Sequence, residues 1–150
     1  MKPLIALAVL AVCVATPALA LRGQGGGGMT LTVQVDNVRV SKGAVHIDLC
    51  REAEFLKECP IEAEAPAVKG RTVVVLHNLA PGTYAVDATL DENGNGKVDR
   101  GLFGIPKEGV GFSNDAPIRL GPPHWRDAMF DLHEDKVITL KLRYFTGPQS

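Results

Sequence analysis

Alternation of apolar and polar side chains in short stretches is the feature that most limits what this chain can fold into. The alternation is clear over residues 29–36, and strand patterns recur at 45–49, 72–76, 84–90 and 138–144. A period of two is typical of strands with one buried face. No long stretch has a helical period, and a short helical turn is expected only within residues 123–129. The sequence therefore predicts an all-β fold, a two-sheet antiparallel β-sandwich.

The first residues have the pattern of an export signal. Residues 1–20 combine Lys2, an apolar run and the small-residue ending Ala18-Leu19-Ala20, which indicates a cleavable signal peptide. A membrane anchor is the alternative, but the run is shorter than the ~20 apolar residues that span a bilayer. We expect a Gly-rich linker over residues 21–28 and a single domain over 29–146. The mature protein is then periplasmic or secreted, without a transmembrane helix.

The charge balance excludes one class of partner. The chain has 16 Lys and Arg residues against 17 Asp and Glu residues. Nucleic-acid binding needs clustered basic residues in excess, because they must neutralise phosphates. We therefore expect no nucleic-acid partner.

Two cysteines, Cys50 and Cys59, lie in the predicted domain. An exported protein meets an oxidising compartment, so a disulfide between them is the favoured interpretation. A metal site or a catalytic thiol is less favoured, since there is no CxxC spacing and no second pair to complete a zinc site.

Residues 91–99, DENGNGKVD, resemble the beginning of a calcium-binding loop. Oxygen-bearing side chains recur at alternate positions, and the main-chain carbonyl of the seventh residue is the expected additional ligand. The candidate ligands are Asp91, Asn93, Asn95, Lys97 and Asp99. The loop departs from the EF-hand pattern at its twelfth position, where Leu102 replaces the bidentate Glu; Glu92, Glu108 or Asp115 are candidates to complete the shell. The alternative is a plain turn, since Asn-Gly occurs twice within the loop and is a strong hairpin signal.

The next stretch, residues 102–132, is rich in Gly and Pro and also carries large apolar residues. Long irregular stretches in compact domains are usually functional or disordered, and the apolar content argues against disorder. We therefore expect a long loop packed over the sandwich, with a contact surface formed by Lys107, Glu108, Phe112, Asn114 and Trp125.

Several long motifs carry a resemblance to a known family. They are NLAPGTYAVDATLDENGNGKVD, GIPKEGVGFSND and GPPHWRDAMFDL. The chain resembles the bacterial domain-of-unknown-function 2141 family of small exported proteins over roughly residues 31–144, departing from its pattern at Trp125 and at Arg100-Gly101. The Pro-Gly-x-Tyr unit between strands is also similar to transthyretin-type (prealbumin-like), carboxypeptidase-regulatory-type and other Ig-like sandwiches, which implies about seven strands. The resemblance implies no activity.

Three functions follow as hypotheses. The first is a non-enzymatic binding or assembly module of the cell envelope, whose partner is an envelope protein or a glycan and whose loop takes Ca²⁺ weakly. The second is a calcium-stabilised structural domain without a ligand site. The third is a small hydrolase that uses Asp91, Asp99 and Glu108. The third is the least favoured, because nothing in the sequence indicates a cleft around paired carboxylates.

Overall fold

The structure is a computed structural model that describes residues 27–147. The signal peptide predicted over residues 1–20 and most of the predicted linker lie outside the described residues. Within them, eight strands and one short α-helix follow the chain. The strands are β1 (Met29–Val38), β2 (Ala44–Cys50), β3 (Ile61–Pro66), β4 (Gly70–Leu79), β5 (Gly82–Asp91), β6 (Val110–Phe112), β7 (Phe130–Leu132) and β8 (Lys136–Lys141), and the helix α1 (Trp125–Ala128) precedes β7.

The strands form two sheets, which confirms the predicted all-β sandwich. Sheet A has the order β4-β1-β8, and sheet B has the order β3-β2-β5-β6, with β7 pairing β5. All pairs are antiparallel except β1 with β8, which run parallel. The parallel pair differs from the antiparallel arrangement expected throughout. The strand before β8 is β7 of sheet B, so β8 reaches β1 by a crossover between sheets, which permits parallel pairing, and not by a hairpin, which would impose antiparallel pairing. The transthyretin-like detail of the fold stays a prediction.

Three of these strands lack a clear sequence pattern. In β3, the inward positions include Ala63 and Ala65, and the outward positions include Glu62 and Glu64. Because alanine is only weakly hydrophobic, the alternation of apolar and polar residues is weak in this strand. Strands β6 and β7 have only three residues each, too few to establish a period of two. The predicted helical turn is present as α1.

The main core lies between the two sheets and follows directly from the alternation. Leu31, Val33 and Val35 of β1 are fully buried, and Ile47 and Leu49 of β2 face them from sheet B. Burying such side chains is the main favourable contribution to folding, about 1.5–3 kcal/mol each. Because every second residue of a strand points into this core, the residues between them point outward, away from the core.

A second, smaller apolar cluster lies at one end of the sandwich, next to a disulfide. Cys50 and Cys59 are bonded, with their Cα atoms 5.0 Å apart, which confirms the predicted disulfide. Phe55, from the loop that this bond closes, is buried with Phe112 and Ala128. The disulfide therefore links the end of β2 to the packing of the long loop.

Between residues 27 and 147 no helix has the length and apolarity needed to cross a bilayer.

Candidate functional site

A surface depression lies beside α1. It is an open cleft of about 400 Å³, lined by Arg51, Glu52, Thr83, Trp125 and Met129. These residues come from the disulfide-closed loop, from the start of β5 and from the α1 segment. Aromatic, cationic, anionic and hydroxyl groups thus converge on one opening.

Trp125 is held in the cleft by the second apolar cluster. Its ring meets the ring of Phe55 edge to face, with centroids 5.6 Å apart. Phe55 in turn meets Phe112 in the same way at 6.0 Å. Such pairs contribute about 0.5–1.5 kcal/mol beyond the burial of their area. Trp125 remains half-buried, with part of its indole facing the cleft.

The polar side of the cleft is also fixed. The guanidinium of Arg51 lies 5.1 Å from the centroid of the Tyr84 ring, and its Nη2 donates to the Tyr84 hydroxyl at 3.1 Å. That hydroxyl donates to the Ala80 carbonyl at 2.9 Å. The Thr83 hydroxyl donates to Asp131 Oδ1 at 2.7 Å. Arg51 and Thr83 are therefore oriented before any ligand arrives.

At another part of the fold, Asp91 organises the loop predicted to bind calcium. Its Oδ1 accepts the backbone N–H of Gly94 at 2.7 Å and that of Asn95 at 3.2 Å, and its Oδ2 accepts the N–H of Gly96 at 2.7 Å. Burial by itself raises the pKa of Asp91. The backbone N–H groups around the carboxylate outweigh burial and lower that pKa.

Three of the predicted ligand side chains converge in this loop. Asn93 Nδ2 donates to Asp99 Oδ2 at 2.6 Å, and Asn95 Nδ2 donates to Asp99 Oδ1 at 3.0 Å. The amide oxygens accept backbone N–H groups, Asn93 Oδ1 from Asn95 and Asn95 Oδ1 from Lys97. The loop thus satisfies its own polar groups as a turn. Within residues 27–147 no three His, Cys, Asp or Glu side chains are arranged to hold a metal.

The residues suggested to complete a calcium shell have other partners. Glu92 pairs with Arg39 at 2.5 Å. Asp115 accepts the backbone N–H of Lys141 at 2.7 Å. Glu108 is buried at the base of the loop, where Oε1 accepts the N–H of Glu92 and Oε2 accepts the N–H of Asp99. Glu108 therefore joins the two ends of the loop.

The residues of the predicted contact surface are spread over different environments. Lys107 is exposed, whereas Phe112 lies in the second apolar cluster. Asn114 Nδ2 donates to the Met129 carbonyl at 2.8 Å. Of these residues, Trp125 is the one that lines the cleft.

A row of carboxylates on the outer face of sheet B was not predicted. Asp48 of β2 is the register partner of both Glu62 on β3 and Asp87 on β5. Burial, followed by the nearby charge of Glu62, raises the pKa of Asp48. The alternation in the sequence predicts that these residues point outward from the sheet. It does not predict the register of β2 with β3 and β5, which places them side by side.

Comparison with known protein families gives a match over most of the chain. Residues 33–140 match the family model described as "Uncharacterized protein conserved in bacteria (DUF2141)". Searches of curated proteins and of solved structures gave no match.

Proposed function

This chain belongs to the DUF2141 family of uncharacterized bacterial proteins, and we propose that it is an exported, non-enzymatic module that binds a glycan in the cleft beside Trp125. The observation that carries this proposal is the convergence of Trp125 with Arg51, Glu52 and Thr83 on one open depression.

The chemistry of the cleft matches a hydroxyl-rich ligand. A sugar ring has one relatively apolar face that packs against an indole, and its hydroxyl groups need donors and acceptors at the rim. Trp125 offers the apolar surface, Arg51 donates, and Glu52 accepts. A small set of fixed polar groups around an aromatic surface is typical of small-molecule sites.

The disulfide supports export. Disulfides form and persist in oxidising compartments such as the periplasm and the extracellular space. The Cys50–Cys59 bond also supports the cleft itself, because the loop that it closes carries Phe55, Arg51 and Glu52. A glycan of the envelope or of the cell exterior is the partner class that such a protein meets.

The chain has one tryptophan, so its fluorescence reports on the cleft directly. Titration with N-acetylglucosamine oligomers and with peptidoglycan fragments is expected to shift the emission of Trp125 in a saturable way. Glu52→Gln and Thr83→Val should weaken this response, whereas Leu120→Ala, an exposed position away from the lining, should leave it unchanged. No saturable shift with either probe would contradict the proposal.

A second candidate function, stabilisation by calcium, is favoured by the convergence of Asn93, Asn95 and Asp99. Rotation of the two amides by 180° about χ2 would turn both amide oxygens toward the Asp99 carboxylate and would give up the bonds that these oxygens accept from the N–H groups of Asn95 and Lys97. A cation between them would favour that orientation, since Ca²⁺ takes oxygen ligands and binds weakly where few of them are charged.

Thermal melts test this second candidate. A cation bound only by the native state raises Tm in a concentration-dependent way. We expect millimolar Ca²⁺ to raise Tm, chelator to reverse the rise, and Asp99→Asn to abolish it, with Asp127→Asn as the matched control on an exposed carboxylate. Superimposable melts with Ca²⁺ and with chelator would leave the loop as a plain turn.

A further inference from the structure

Residues 99–107 form a small hairpin that projects from the calcium-candidate loop. The N–H of Lys107 donates to the Asp99 carbonyl at 2.8 Å, and the N–H of Gly101 donates to the Ile105 carbonyl at 2.7 Å. Between these bonds, Arg100 and Pro106 form an antiparallel bridge. Arg100 Nη1 donates across the hairpin to the Gly104 carbonyl at 3.0 Å. The segment is therefore an ordered hairpin and not an irregular excursion.

The end of this hairpin presents two large apolar side chains to solvent. Leu102 is 83% exposed and Phe103 is 98% exposed; we call these two residues the apolar tip. Phe103 has φ 60° and ψ 22°, in the left-handed region that non-glycine residues seldom adopt. Two adjacent large apolar side chains are thus exposed, and the backbone conformation of one of them costs free energy. These features indicate a surface that another molecule covers when the protein functions.

The exposed charged side chains of residues 93–107 are all basic. Lys97, Arg100 and Lys107 are exposed, and within residues 27–147 none of them lies in an ion pair.

The carboxylates of this region are buried or half-buried, including Asp87, where burial raises the pKa and the charge of Arg100 opposes that rise. Glu92 pairs with Arg39, Asp99 accepts from two amides, and Glu108 is buried on backbone N–H groups. The charged side chains that reach solvent next to the apolar tip are therefore the basic ones, since Glu92 and Asp99 are half-buried and Glu108 is buried.

We propose that the apolar tip docks on an anionic lipid bilayer, with Leu102 and Phe103 inserted at the interface and with Arg100 and Lys107 on headgroup phosphates. Aromatic and aliphatic side chains enter the boundary between headgroups and acyl chains, where they leave water. Basic side chains beside them gain from the negative potential of anionic lipids. This inference does not depend on the glycan proposal.

Co-sedimentation of the full chain with vesicles tests the proposal. We expect binding to vesicles that contain phosphatidylglycerol and weaker binding to vesicles of phosphatidylcholine alone, with the difference diminishing at high salt. The double variant Leu102→Ser, Phe103→Ser is expected to lower the partition coefficient at least about tenfold, since two buried apolar side chains are lost. Arg100→Gln with Lys107→Gln should remove the lipid selectivity while retaining weak binding.

Leu120→Ser is the matched control, because Leu120 is also fully exposed but lies outside the hairpin. Circular dichroism melts establish that each variant is folded. A second experiment uses the variant Phe103→Trp in a Trp125→Phe background, so that the single tryptophan lies in the apolar tip. Brominated lipids should quench the fluorescence of this tryptophan. Equal vesicle binding by wild type and the double variant would overturn the proposal, as would no binding of the wild type to vesicles that contain phosphatidylglycerol.

Discussion

Asp48 and Asp87 lie directly opposite each other on the adjacent antiparallel strands β2 and β5, both on the outer face of sheet B. Burial, followed by the charge of Asp48, raises the pKa of Asp87 to about 7, against an opposing effect of Arg100. Phe112 is the register partner of Asp87 on its other side and supplies apolar surface there. Two carboxylates so placed cannot both ionise freely, because each charge disfavours the other.

The first prediction concerns Asp87→Asn. A folded-state pKa above the unfolded value of 3.8 means that the native protein binds a proton more tightly, so ionising Asp87 costs stability. That cost is absent below pH ~4, grows through pH 5 and 6, and is complete above pH ~7, on the order of 4 kcal/mol for three pKa units. Asp87→Asn should therefore raise the free energy of unfolding at pH 8 much more than at pH 4.

Denaturant unfolding at the two pH values measures this difference. Glu134→Gln, on an exposed carboxylate, is the control and should change stability equally little at both. A stability gain for Asp87→Asn that is the same at pH 4 and pH 8 would show that its carboxyl group is not perturbed in the native state.

This pair illustrates what the sequence predicts and what it does not. Alternation predicts which face each residue of a strand occupies, so the outward phase of Asp48 and Asp87 follows from their buried neighbours. It does not predict register, because register depends on turns and on partners distant in the chain. The contacts among Asn93, Asn95 and Asp99 are local, and the sequence therefore suggested them. The cleft joins Arg51, Thr83 and Trp125 across three segments, and only the fold brings them together.

The second prediction concerns Ser113, which is fully buried. Its hydroxyl accepts the N–H of Val86 at 2.9 Å and donates to the Ala128 carbonyl at 2.5 Å. Ser113→Ala would leave both backbone groups without this partner, and each buried unpaired group costs about 1–3 kcal/mol. We expect a clear fall in the unfolding midpoint in denaturant. Ser41→Ala, at an exposed serine, is the comparison, and equal effects of the two changes would argue against a special role for Ser113.

The third prediction concerns the disulfide. Replacing both Cys50 and Cys59 by Ser should lower stability by about 2 kcal/mol, since a short loop is freed in the unfolded chain. It should also loosen Phe55, against whose ring the indole of Trp125 packs. We therefore expect a red shift of the native tryptophan emission and greater quenching by acrylamide. If emission and quenching match the wild type while stability falls, the disulfide acts on the unfolded chain alone and does not position the cleft.

The fourth prediction concerns the contact between Gly109 and Tyr144, which joins the residue before β6 to the segment after β8. A Cβ atom at Gly109 would lie 2.6 Å from the Tyr144 ring, closer than packed carbon atoms approach. Tyr144 cannot easily retreat, because its hydroxyl donates to the Asn37 carbonyl at 2.9 Å and accepts the N–H of Arg39 at 3.1 Å. Gly109→Ala should therefore cost about 1–3 kcal/mol through overpacking. Gly121→Ala is the matched control, since a Cβ atom there meets nothing within 4 Å. In denaturant unfolding the first variant should fall well below the wild type and the second should overlay it. Equal stability of both variants would mean that Tyr144 does not pack on Gly109 in solution.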